Sequence, residues 1–62
     1  MKVFQILKSD LCKNFDVYCY DLNNKRLEEK PQFYNYFDVQ SVTIDYKEKQ
    51  VNIRIIFKLS NN

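Results

Sequence analysis

The sequence predicts a small β-dominated domain: an antiparallel sheet of about four strands with a C-terminal β-hairpin (39–46 and 51–59) and at most one short helix. Three observations carry that expectation. Apolar and polar residues alternate along the last third of the chain, a second alternating run spans 15–22, and turn-forming residues break the one stretch with helical spacing. The alternative is an α+β fold, with an N-terminal helix over 3–14 packed on a three-stranded antiparallel sheet.

The hairpin is the clearest element. Val42, Ile44 and Tyr46 alternate with Ser41, Thr43 and Asp45; after Lys47, Glu48, Lys49 and Gln50, the residues Val51, Ile53, Ile55, Phe57 and Leu59 alternate with Asn52, Arg54, Ile56 and Lys58. A period of two puts each alternating set on one face of a sheet. Pairing Tyr46 with Val51, Ile44 with Ile53 and Val42 with Ile55 brings both apolar sets to the same face, and a one-residue slip would turn one of them to water. The expected core face is therefore Val42, Ile44, Val51, Ile53, Ile55 and Phe57. The reverse face carries Thr43, Arg54, Ile56 and Lys58.

The N-terminal segment reads two ways. As a strand over 2–7, Phe4 and Ile6 share one face and Val3 and Leu7 the other. As a helix, Phe4, Leu7, Leu11 and Phe15 form one stripe joined by Val3. Ser9, Asp10 and Asn14 argue against a continuous helix, because their side chains compete for backbone hydrogen bonds. The strand is the preferred reading, followed by a turn or single helical turn over 9–14.

Residues 15–22 form a good strand, with Phe15, Val17 and Cys19 on one face and Tyr18, Tyr20 and Leu22 on the other. The chain has no glycine, so turns must rely on the next best residue for a positive φ, and Asn23 with Asn24 is the strongest turn signal. Residues 25–30 pair back as a short strand or form a helical turn that ends before Pro31. Extended, 32–38 would turn Phe33 and Phe37 inward and Tyr34 and Tyr36 outward, keeping the tyrosine hydroxyls in water. Residues 60–62 read as a frayed polar tail.

Composition narrows the chemistry. The 62 residues read as a single domain, short enough to bury only about 60% of its unfolded surface. An aromatic content of 16% offsets that in part, and homodimerisation would offset it further. Histidine is absent, removing the commonest general base. No serine sits in a nucleophile-elbow context. Phosphate-cradling loops need glycines. Asp16 and Asp21 fall on opposite faces of a strand. An enzyme is not expected, and neither is a cofactor or a metal site, since two cysteines cannot close a tetrahedral zinc site. Cys12 and Cys19 are spaced for neither redox nor zinc chemistry and read as free thiols, Cys19 as a small core residue.

The net charge of +2 divides evenly between the two halves with signs interspersed, which is too mild for a dedicated nucleic-acid binder. No apolar run approaches the roughly 18 residues of a membrane helix. No secretory pattern follows Met1, so a cytoplasmic protein is expected. Phe, Tyr, Met, Ile, Asn and Lys together make half the chain while Gly and Ala are missing, a balance that points to an AT-rich genome.

These readings converge on a small non-enzymatic protein-binding module. A phage or mobile-element origin is expected, with the chain inhibiting a host protein such as a defence or replication enzyme by steric blockade. Tyr and Arg concentrate energy at interfaces. The expected partner-binding residues are Tyr34, Tyr36, Arg54, Ile56 and Lys58. The alternatives are a weak single-stranded nucleic-acid binder, using stacked tyrosines flanked by Arg54 and Lys58, and a homo-oligomeric structural subunit.

Overall fold

A computed structural model describes residues 1–56, apart from the side chain of Leu11. The expectations for Phe57, Lys58, Leu59 and residues 60–62 lie outside the described residues. Within them the protein is a small β-dominated domain with one short α-helix, α1 (Val3–Leu7), and three strands: β1 (Asp16–Tyr20), β2 (Val39–Asp45) and β3 (Gln50–Ile55). Two short 3-10 helices, Asp10–Cys12 and Pro31–Tyr34, complete it.

The sheet has three strands in the order β1-β3-β2 and is mixed. The hairpin is present, with β2 antiparallel to β3. β1 instead runs parallel to β3, pairing Val17 with Val51 and Cys19 with Ile53. Neither the four-stranded nor the three-stranded antiparallel expectation contained that pair. Parallel neighbours require a long crossover, and the chain between β1 and β3, with β2 inside it, provides one. β3 therefore gains a neighbour on each side. Its Val51, Ile53 and Ile55 are fully buried and form the centre of the core with Val3, Ile6, Cys19 and Tyr34.

The hairpin register differs from the expected one by two residues. Ile44 pairs with Val51 and Val42 with Ile53; after a bulge between Val39 and Ser41, Val39 pairs with Ile55. A two-residue shift preserves the face of every side chain. Its cause is the turn: the Asp45 carboxylate accepts from the Glu48 N–H at 3.0 Å, so the strand ends at Asp45. Tyr46 consequently leaves the core face for the turn, 72% exposed, with its ring edge-on to Phe15. Val42, expected inside, is 36% exposed at the sheet edge. Lys49 closes the turn at φ 55°, where glycine would be the easier residue.

The N-terminal segment is a helix, so the preferred strand reading of 2–7 is overturned, and the helical alternative over 3–14 is cut short. Val3 and Ile6 bury one face of α1, while Phe4 and Leu7 are only partly buried. The first free N–H groups of a helix need acceptors, and here they find them outside it. Val3 donates to the Phe37 carbonyl and Phe4 to the Asn35 carbonyl, both at 3.1 Å, while Lys2 donates to Gln5 Oε1 at 2.7 Å. At the other end Ser9 turns back on Ile6, its N–H and hydroxyl both donating to that carbonyl. The expected helical turn follows at Asp10–Cys12.

The same contacts explain why 32–38 is not extended. Lys30 is held in the extended region by Pro31, which opens the second 3-10 helix. A 3-10 helix repeats every three residues rather than every two. Pro31, Tyr34 and Phe37 therefore point inward, and Phe33 and Tyr36 outward. Tyr34 is 4% exposed with its ring against Phe33 and Phe37, whereas Phe33 is 66% exposed. The expected order of Phe inside and Tyr outside is reversed at this pair.

Both cysteines are free. Burial pushes the Cys19 thiol up to about 11; the Cys12 thiol is also raised by burial, against a smaller opposing contribution from a hydrogen bond to Ser9. Thiolate is the reactive form. Native protein treated with a thiol reagent at neutral pH is expected to modify Cys12 first and Cys19 only on unfolding, read by mass spectrometry. Equal rates at both would show that Cys19 is not enclosed by β3 and α1.

Candidate protein-binding face

Period-two alternation and the two registers assemble a grid on the sheet face turned away from α1. Three rows cross the strands in the order β1, β3, β2: Asp16, Gln50 and Asp45; Tyr18, Asn52 and Thr43; Tyr20, Arg54 and Ser41. The alternate residues Val17, Val51 and Ile44, then Cys19, Ile53 and Val42, face the core side. Antiparallel sheets commonly cover one face and solvate the other, and this mixed sheet does the same.

The glycine-free turn after β1 completes the upper end of the grid. Asp21 Oδ1 accepts from the N–H groups of Asn23 at 2.8 Å and Lys25 at 2.9 Å, and Asn24 takes φ 65°. Asparagine tolerates that region better than most residues. The turn places Asn24 over the sheet, where its side-chain oxygen accepts from Arg54 Nη2. The returning chain pairs at Tyr20 with Arg26, and the Arg26 guanidinium lies 4.1 Å from the Tyr18 ring centroid. That is a cation–π contact.

Tyr20, Asn24, Ser41, Thr43, Asn52 and Arg54 line a shallow cleft of about 340 Å³. One hydrogen bond to Asn24 leaves the Arg54 guanidinium with further N–H donors. Asn52 Oδ1 is buried in the floor with no hydrogen-bond partner. Arg54 and Arg26 stand at one end of the face with Tyr20 and Tyr18 beside them, and the carboxylates of Asp16 and Asp45 stand at the other.

The expected partner-binding residues are not brought together. Tyr34 belongs to the core. Tyr36 is 79% exposed but packs on Phe4, 5.9 Å between ring centroids, beside α1. Arg54 alone takes its place on the open face. Ile56 follows the end of β3, 37% exposed, with its N–H donating to the Asp38 carbonyl. Lys58 lies outside the described residues. The residues that stand beside Arg54 are instead Tyr18, Tyr20, Asn24, Asn52 and Ser41, none of them among the five expected. Period two had already put Tyr18 and Tyr20 on one side of β1; the missing signal was which strand β1 adjoins.

On the helix side, Lys2 and Asp38 form an exposed ion pair at 2.8 Å, and the Lys2 hydrogen bond and charge hold the Asp38 carboxyl below its usual range. Among the described residues, no three Cys, Asp or Glu side chains gather as metal ligands do, and no helix is long and apolar enough to cross a membrane. No family model, no curated protein and no solved structure matches the chain.

Proposed function

We propose that the chain is a non-enzymatic protein-binding module that covers its partner with the open face of the sheet. The observation that carries this reading is the half-buried cluster of Tyr18, Tyr20 and Arg54 beside an open cleft on the sheet face turned away from α1. Tyrosine and arginine are the side chains that most often anchor interfaces. Here Asn24 and Asn52 flank them with polar groups that a partner could satisfy. The absence of histidine and glycine supports a role without catalysis. The AT-rich residue balance supports a phage or mobile-element origin, with a host defence or replication enzyme as the target and steric blockade as the mechanism.

Capture of a partner from the lysate of a low-GC bacterium, repeated with Tyr20→Ala and Arg54→Glu, tests the face. Each variant should weaken capture by about tenfold or more, the effect expected at an interface anchor, while Tyr36→Ala should retain it. Unchanged capture by both open-face variants, with their folds intact by circular dichroism, would overturn the reading.

A second reading rests on the same residues. Tyr18 and Tyr20 flanked by Arg26 and Arg54 resemble the stacking platform of a single-strand binder. Asp16 and Asp45 argue against it, because a nucleic-acid backbone running along the strands would meet two carboxylates. Affinity for a labelled oligonucleotide that falls steeply with salt would favour it; no binding at low salt with micromolar protein would remove it.

A further inference from the structure

The two edges of the sheet are finished differently. At the outer edge of β1, the Leu27 N–H donates to the Cys19 carbonyl at 2.8 Å and the Asp21 N–H to the Lys25 carbonyl at 2.9 Å, so the returning chain covers it. At the outer edge of β2, only the start is occupied: the Val39 N–H donates to the Met1 carbonyl at 2.8 Å, and Gln40 lies in the bulge. Among the described residues, nothing pairs with the outer edge of 41–45. Natural sheets protect such an edge with Lys, Pro, inward charges or extra bulges. Along β2 the only charged residue is Asp45 at its end, and there is no proline.

We propose that residues 41–45 of β2 pair antiparallel with the same residues of a second copy about a two-fold axis at Thr43. The two three-stranded sheets then join into one of six strands. The argument is the self-complementarity of the run. Reversed on itself, it sets Thr43 against Thr43, Val42 against Ile44 on both sides of the axis, and Ser41 against Asp45 at both ends.

Thr43 with Thr43 is a favourable cross-strand hydroxyl pair, Val42 with Ile44 sets two apolar side chains together on the core side, and the Ser41 hydroxyl faces a carboxylate that can accept from it. No like charges meet. The faces also agree, since Val42 and Ile44 lie on the core side and Ser41, Thr43 and Asp45 on the open side. A register one residue off would mix the faces.

Packing supports the same occupant. Val42 is 36% exposed, and Phe15, Ile44 and Tyr46, with Ser9 and Asp10, line a cleft of about 350 Å³ on the core side near this edge. The second copy's Val42, set beside Ile44, would lie at the rim of that cleft. A foreign strand would also satisfy the backbone, but it would need a matching pattern that this chain already supplies to itself. A five-residue ribbon is smaller than a standard stable interface, so the association is weak and concentration-dependent. It does not depend on the partner-binding reading and survives the failure of the capture experiment.

Sedimentation velocity from micromolar to millimolar protein tests it. The wild-type mass should rise from 7.6 kDa towards twice that value. Thr43→Lys, which sets two ammonium groups across the axis, should stay monomeric, as should Thr43→Glu. An equimolar mixture of the two should recover dimer, a rescue that a misfolded variant would not give. A wild-type monomer at every concentration would overturn the proposal. So would Thr43→Lys that associates like the wild type, or a mixture that shows no recovery.

Discussion

Ile53→Ala is expected to cost about 2–5 kcal/mol, the range for removing a fully buried branched side chain and leaving a cavity. Ile53 has no exposure and stands in the central strand between Cys19 on β1 and Val42 on β2. A chain of this length has about 3–9 kcal/mol of total stability at 0.05–0.15 kcal/mol per residue. The substitution therefore removes a large share of it, and where the total lies at the lower end of that range it leaves the protein mostly unfolded at room temperature. Urea unfolding should show the midpoint falling with little change in slope. Ile53→Val, which removes one methyl group, should cost only about 0.5–1.5 kcal/mol. A loss under about 1 kcal/mol for the alanine variant would show that β3 is not the centre of the core.

Tyr34→Ala is expected to cost about 3–5 kcal/mol, as for other large aromatic truncations in a core. Tyr34 sits in the turn that packs against α1, its ring against Phe33 and Phe37, and the cavity would open in the core cluster that holds Val3 and Ile55. Tyr36→Ala, two positions along, should change stability by no more than about 0.5 kcal/mol, the range for an exposed surface site. The contrast separates a three-residue repeat from an extended segment. An extended strand would put both tyrosines on one face and give them similar costs. Equal losses at the two positions would contradict the 3-10 geometry of Pro31–Tyr34.

Much of this fold is legible wherever a single periodicity has no rival. The hairpin, β1 and the Asn23–Asn24 turn follow from period two and from the scarcity of residues that accept a positive φ. Four features are not legible, and each has a physical reason. The hairpin register depends on the Asp45 side chain capturing the Glu48 N–H, and alternation alone does not distinguish this turn from one placed one residue later. The N-terminal helix is only five residues long, below the length at which amphipathic spacing is persuasive. It is fixed by carbonyl acceptors from Asn35 and Phe37, which are distant in sequence. Those contacts also shape the aromatic run into a 3-10 turn and carry Tyr34 inside. The parallel neighbour of β3 is a matter of topology, which local alternation does not encode.

The candidate site inherits these consequences. The place of Arg54 on the reverse face of the hairpin is legible because it depends on parity alone, which a two-residue register shift leaves intact. Its companions depend on the strand beside β3. Tyr34 and Tyr36 are near the hairpin in sequence, whereas the sheet sets Tyr18 and Tyr20 beside Arg54.

The parallel pairing of β1 with β3 is thus the hinge on which the open face depends, and interstrand nuclear Overhauser contacts test it most directly. Antiparallel neighbours bring α-protons of facing residues together, while parallel neighbours bring amide protons to α-protons in a staggered ladder. The expected spectrum has close α-to-α contacts between β2 and β3 at the alternate facing pairs that exchange no hydrogen bonds, Ile44 with Val51 and Val42 with Ile53. Between β1 and β3 it has only amide-to-α contacts, in the register of Val17 with Val51 and Cys19 with Ile53. Close α-to-α contacts between β1 and β3, or no contacts between them, would separate Tyr18 and Tyr20 from Arg54 and contradict the proposed binding face.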